Sequence, residues 1–241
     1  MRASWSFILS TANFEVTGLP LPVAVQRIRT AKRMRLRVDH QAGLIRLTMP
    51  ARASARAALR WAGEQRAWVD AQLAGQPAAR PFVPGGSIPF EGRTLELEWQ
   101  EGARRGARLE GDRLLVGGPA IGFARSVERW LKREALERLS TATARYASLA
   151  EVTVSSVSIG DPVTRWGSCT ASGAIRYSWR LILAPPAALQ FVAAHEVAHR
   201  LHLDHGPGFK AAEERLFGAP VAPVRALLRE LAPTLRSVGR G

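Results

Sequence analysis

The sequence predicts an α+β protein in two parts. Residues 1–118 read as a β-rich subdomain with one helix, and residues 119–241 as a subdomain with a long helix, a small sheet and an apolar helix bearing histidines. Three observations carry this. In the first half apolar residues recur at every second place, the period of a half-buried strand. In the second half the period lengthens to that of a helix over about Ala120–Leu149. Between them, from Gly75 to Gly86, proline and glycine punctuate the chain as a connection between subdomains does.

Taken in order, the apolar patch Trp5–Leu9 is interrupted by Asn13 and Glu15 and followed by no small-residue cleavage site. It reads as a first strand and not as a signal peptide. Residues 25–38 alternate, with Ile28, Met34, Leu36 and Val38 on one side and Arg27, Arg29, Arg33, Arg35 and Arg37 on the other. The expectation is one strand with a basic face. Gly43 marks a turn, Leu44–Met49 the returning strand and Pro50 its end. Residues 53–74 read as a helix with Ala58, Leu59, Ala62, Trp68, Val69 and Leu73 as its apolar stripe. Short strands follow at 87–89, 94–99, 108–109 and 113–116.

In the second half the long helix buries Val127, Trp130, Leu131, Leu139, Ala142, Tyr146 and Leu149. A strand through Val152, Val154, Val157 and Ile159 follows, irregular near Ser155. After Arg165-Trp166-Gly167-Ser168-Cys169 and a turn at Ala171–Gly173, a further strand is expected over Ala174–Leu183. Pro185-Pro186 opens a helix that is apolar nearly all round, as a central buried helix is.

Four of the five histidines lie on or just after this helix: His195, His199, His202 and His205. Imidazoles in an apolar helix are costly unless their polar atoms are satisfied, so hydrogen-bonded core histidines or a metal site must account for them. The segment His195-Glu196-Val197-Ala198-His199 has the HExxH spacing. Positions i and i+4 share a helix face, about 5–6 Å apart, from which two imidazoles can reach one zinc ion. Glu196, beside the first imidazole, is then a general base toward a metal-activated water. A catalytic zinc site needs a third protein ligand and an open position. His205 suits that place if the helix ends near Leu203-Asp204 and the chain turns back through Gly206-Pro207-Gly208; Glu213 or Glu214 on a following helix is the alternative. His202 lies about 10 Å along the axis from His195, too far for three successive turns to converge on one ion. Asp204 either orients a ligand imidazole or closes a turn. Cys169 either adds a fourth ligand or packs as a small hydrophobe.

Several separated segments carry a family pattern: Arg165–Cys169, then GAIRYSWRLILAPP, then FVAAHEVAHRLHLDHGPGF, together with Arg29–Pro50. They resemble the YgjP-like metallopeptidases, which are related to the SprT and WLM zinc peptidases. The resemblance covers most of the chain. It implies a zincin-like catalytic half with zinc on His195, His199 and His205, and Glu196 as catalytic acid and base. Ser178, where the family has Asn before the tryptophan, and Val197, in place of the commoner Leu, depart from the pattern without touching a ligand. In zincins an extended peptide pairs with a strand beside the active helix. The segment from Arg165 to Leu183 is placed to supply it, with Arg165 and Trp166 as substrate-binding candidates; Arg165 would hold a carboxylate or an oxyanion, or else simply pair with an acid.

A formal charge of +14 attracts polyanions, and the basic residues crowd most densely along Arg27–Arg37. Lysine occurs only at Lys32, Lys132 and Lys210, so nearly all of this charge is arginine. Besides a peptide or protein substrate, DNA or RNA is therefore a candidate partner. The alternatives to a peptidase are a metal-dependent nuclease and a nucleic-acid-associated protein with a structural metal. A bacterial endoribonuclease family shares the H-x3-H-x5-H spacing but lacks the glutamate after the first histidine, so Glu196 favours the peptidase. A single cysteine excludes an intrachain disulfide, and with no membrane-length apolar run the expected location is cytoplasmic.

Overall fold

The computed structural model describes residues 12–39, 42–75 and 77–241. The strand expected at Trp5–Leu9 lies outside them. The protein is α+β, with six α-helices and three small sheets among the described residues. It divides into two compact units, with the boundary in the chain between residues 76 and 77.

In the first unit, β1 (Ala12–Phe14), β2 (Val23–Ile28), β3 (Arg35–Asp39) and β4 (Leu44–Pro50) form a sheet in the order β1-β2-β4-β3. Alternation along β4 buries Ile45, Leu47 and Met49 on one face, where they meet Val23, Ala58, Ala62 and Val69. The single strand expected over 25–38 is two strands. β2 runs parallel to one edge of β4 and β3 antiparallel to the other, so the chain must leave the sheet between them, turning where the Ala31 N–H donates to the Ile28 carbonyl. The arginines of this segment therefore share no continuous face, and the Arg27 guanidinium is engaged by the carbonyls of Ala51 and Ala53. The helix expected over 53–74 is likewise two, α1 (Ala55–Glu64) and α2 (Arg66–Ala74). Ser54 caps α1 by accepting from the Ala57 N–H, and at Gln65 the N–H reaches back only three residues, to Ala62, which breaks the run. Beyond that break the Trp68 side chain leaves the apolar stripe and stands exposed.

The second unit begins with a sheet of β5 (Ser87–Phe90), β6 (Arg93–Gln100), β7 (Gly106–Glu110) and β8 (Arg113–Gly117), ordered β5-β6-β8-β7. Its apolar face cannot stay in water and packs on α3 (Phe123–Leu149); the Phe90 and Trp130 rings lie 4.9 Å apart. Ile88, Leu95 and Leu114 thereby share one core with Val127, Leu131 and the later helices. For this reason the boundary falls at 76/77 and not at 118/119: the second sheet completes the core of the helical half. Leu149, at the last position of α3, is exposed and does not join that core.

A third sheet joins β9 (Ser156–Gly160), β10 (Gly167–Cys169) and β11 (Ala174–Ser178) in the order β10-β11-β9. β11 is parallel to β9 and antiparallel to β10, which leaves β10 at an edge. The strand expected to reach Leu183 ends at Ser178, and Trp179–Leu183 forms a buried 3₁₀ helix. Arg180 explains the change. Its guanidinium is turned inward, paired with both oxygens of Asp161 and donating to the carbonyls of Leu235 and Val238. Three helices complete the unit: α4 (Pro186–Ala198), α5 (Pro207–Phe217) and α6 (Val221–Ser237). Pro186 starts α4 at the position where its missing N–H costs nothing. No helix among the described residues is long and apolar enough to cross a membrane.

Candidate metal centre

Helix α4 presents His195 and Glu196 and ends at Ala198, earlier than the sequence suggested, with His199 as its C-terminal cap. The chain then tightens: the N–H groups of Arg200 and Leu201 bond back three residues, to Val197 and Ala198. It reverses through Asp204 to Gly206, and Pro207 opens α5. This reversal returns His205 to the face of α4 that carries His195 and His199. One ring nitrogen from each of the three imidazoles lies within 4.8 Å of the other two, a set that could hold a metal ion. His195 Nε2 and His205 Nε2 stand 3.4 Å apart. Phe209, 1% exposed on α5, lies under all three rings, with its centroid 4.6–5.0 Å from theirs.

Neighbouring acceptors select the tautomers. His195 Nδ1 is 2.7 Å from Glu213 Oε1, so Nδ1 carries the proton and donates it to the carboxylate. His199 Nδ1 donates in the same way to the His202 carbonyl at 3.2 Å. In both rings the Nε2 lone pair is thereby left for the cluster. Burial alone would raise the Glu213 carboxyl, but the bonds from His195 and from Arg225 outweigh it and hold it below the ordinary glutamate value. Arg225 donates to both of its oxygens, at 3.0 and 2.8 Å. The His199 imidazole is held below its ordinary value, first by burial and then by the adjacent His195. All of this suits neutral, lone-pair-bearing rings.

Glu213, weighed from sequence as a third ligand, therefore stands behind His195 as its hydrogen-bond partner, and the three-residue set does not include Glu214 or Cys169. The Cys169 thiol is pushed up by burial and donates to the Thr170 carbonyl. Asp204 accepts from the Gly206 N–H and closes the turn. His202 is not part of the set, and its ring packs over Gly208, where a β-carbon would come within 2.9 Å of it.

Glu196 is 4% exposed, and its Oε2 has no hydrogen-bond partner among the described residues. Burial pushes its carboxyl up to about 7, against the lowering pull of His195 and Arg165. A buried, unpartnered carboxylate oxygen is costly unless something else occupies it. Gly167, at the start of β10, makes the carboxylate's position possible: a β-carbon there would lie 2.4 Å from Glu196 Oε1 and 2.7 Å from Cγ. The edge strand thus runs directly against Glu196. Beside them opens a cleft of about 320 Å³, bordered by Arg165, Trp166, Phe191 and α6. The structure brings the three histidines singled out from the sequence into one cluster and sets Glu196, Arg165 and Trp166 beside the cleft. Sequence reasoning missed the ring of Phe209 beneath the cluster and the α6 residues, whose helix carries no motif to mark it.

A family model described as YgjP-like, metallopeptidase domain, matches residues 32–229. No curated protein matches the chain. No solved structure matches it either.

Proposed function

Because the chain belongs to the YgjP-like metallopeptidase family, we propose that it hydrolyses peptide bonds with zinc held by His195, His199 and His205 and with Glu196 as general base and then general acid. The family implies a metal ion, and the residues fit one. Three imidazoles converge, two of them have their Nε2 lone pairs freed by Glu213 and by a carbonyl, and an all-nitrogen set of three suits zinc with a position left open. Zinc bound there would supply Lewis-acid polarisation of the scissile carbonyl and of the attacking water.

The observation that carries the catalytic role is the unpartnered, buried Oε2 of Glu196 beside this triad. That oxygen accepts the proton of the attacking water. The same burial that raises the carboxyl's affinity for a proton lets Glu196 hold it and pass it to the departing amine. Gly167 keeps the carboxylate from being displaced, and Phe209 keeps the rings packed. The outer edge of β10 suits an extended peptide, which would pair with it and run past Glu196. Arg165, exposed at the cleft, and Trp166 would contact that substrate.

The test is proteolysis of unfolded casein by zinc-loaded wild type and Glu196→Gln. The substitution keeps shape and metal but removes the base, so cleavage should fall by about 10²-fold or more while bound zinc is unchanged. Equal cleavage by the two proteins would remove Glu196 from the reaction.

A further inference from the structure

The cleft beside Glu196 is chemically lopsided. Three guanidiniums border it, from Arg165 ahead of β10 and from Arg225 and Arg229 on α6, whereas Glu196 is the one carboxylate on its lining. Arg225 is already engaged with the buried Glu213. Arg165 and Arg229 make no hydrogen bond or ion pair with any described residue, although Arg165 is near enough to act on the Glu196 carboxyl through its charge. Much of the remaining wall is apolar: Phe191 and Val192 from α4 and Leu228 from α6 are each about nineteen-twentieths buried. The α6 contribution follows from helix geometry, since positions 225, 228 and 229 share one face. At about 320 Å³ the cleft has room for a single amino-acid residue.

An apolar wall bordered by two guanidiniums that make no hydrogen bond with any described residue suits a short methylene stem ending in a carboxylate. Guanidinium recognises carboxylate through paired N–H donors, and a partly enclosed site strengthens that contact relative to open water. We propose that this cleft is a specificity pocket that takes a carboxylate of the peptide substrate, received by Arg165 and Arg229, so that cleavage falls close to an acidic group. The inference rests on the peptidase reading above. The carboxylate can come from an Asp or Glu side chain or from the C-terminus of a short peptide, and the pocket's chemistry is the same for both.

Cut sites on unfolded casein, mapped by mass spectrometry with the zinc-loaded wild type, would first locate the scissile position. Paired peptides built on one such site then differ in a single feature, Glu against Gln beside the bond, or a free against an amidated C-terminus. The expected result is a kcat/KM at least about fivefold higher for the acidic member of one pair, shrinking as salt is raised. A Glu-over-Gln preference identifies the side chain as the source, and a free-over-amidated preference the terminus. In Arg165→Gln combined with Arg229→Gln the two members should become equal, and Arg229→Lys should keep part of the preference. A second readout needs no turnover: Glu196→Gln should bind the acidic labelled peptide more tightly than its neutral partner. Cleavage with no preference in either pair would overturn this pocket while leaving the peptidase reading standing. No cleavage of any peptide by the zinc-loaded protein would overturn both.

Discussion

Gly167 stands where the edge strand meets the carboxylate of Glu196, and its lack of a side chain is what allows the two to touch. A β-carbon at that position would overlap Glu196 Oε1, Cδ and Cγ together, at 2.4–2.7 Å, so no rotation of the carboxyl end alone relieves the clash. Gly167→Ala is therefore expected to fold and to bind metal, since the three imidazoles are untouched, but to lose about 10²-fold in kcat through displacement of the base. Steady-state kinetics with elemental analysis on the same sample checks this. At this scale the sequence was most legible. HExxH places two imidazoles on one helix face by period alone, and the turn chemistry of Gly206-Pro207-Gly208 accounts for the return of His205. What the sequence could not separate was a ligand from a ligand's partner. Glu213 has the residue type for either role, and its 2.7 Å contact with His195 Nδ1, the nitrogen that is not in the cluster, is what favours the partner's role in the proposed site.

The elements were read correctly where one face is buried and less well where the chain changes direction. The alternating pattern from Ala174 looks like a strand continuing to Leu183, but Arg180 is 4% exposed and needs acceptors that no strand neighbour offers. It finds them in Asp161 and in two carbonyls near the end of α6, and the backbone coils into a 3₁₀ turn to deliver it. Local periodicity contains no information about partners 55 and 58 residues away. Arg180→Met should therefore destabilise the second unit by about 2–3 kcal/mol, because two buried carbonyls and Asp161 lose their donor at once. Urea unfolding followed by tryptophan fluorescence measures it. An unchanged midpoint would mean that packing around Trp179 alone holds the segment.

For the whole molecule, the boundary between units is the chief difference from the sequence reading. The proline- and glycine-rich stretch from Gly75 was visible as a connection, yet the composition on either side gave no reason to assign the second sheet to the helical half. That assignment depends on which surfaces pack. The core around Trp130, Leu131 and α4 includes Phe90, Leu95 and Leu97 from that sheet, and a piece beginning at residue 119 would leave their partners bare. Residues 77–241 expressed alone should fold cooperatively and bind one zinc ion, whereas 119–241 should not fold. Circular dichroism melting with metal analysis of both fragments distinguishes them.

The proposed chemistry depends above all on a metal ion held by three imidazoles. The most direct measurement is zinc bound per chain, after dialysis against a weak chelator, for wild type, His205→Ala and Glu213→Gln. The prediction is about one zinc in the wild type, little in His205→Ala, and in Glu213→Gln a site still present but weakened by roughly 10–100-fold, as loss of a hydrogen-bond partner behind a ligand imidazole produces. Full zinc in His205→Ala together with none in Glu213→Gln would contradict it, and would make Glu213 the third ligand.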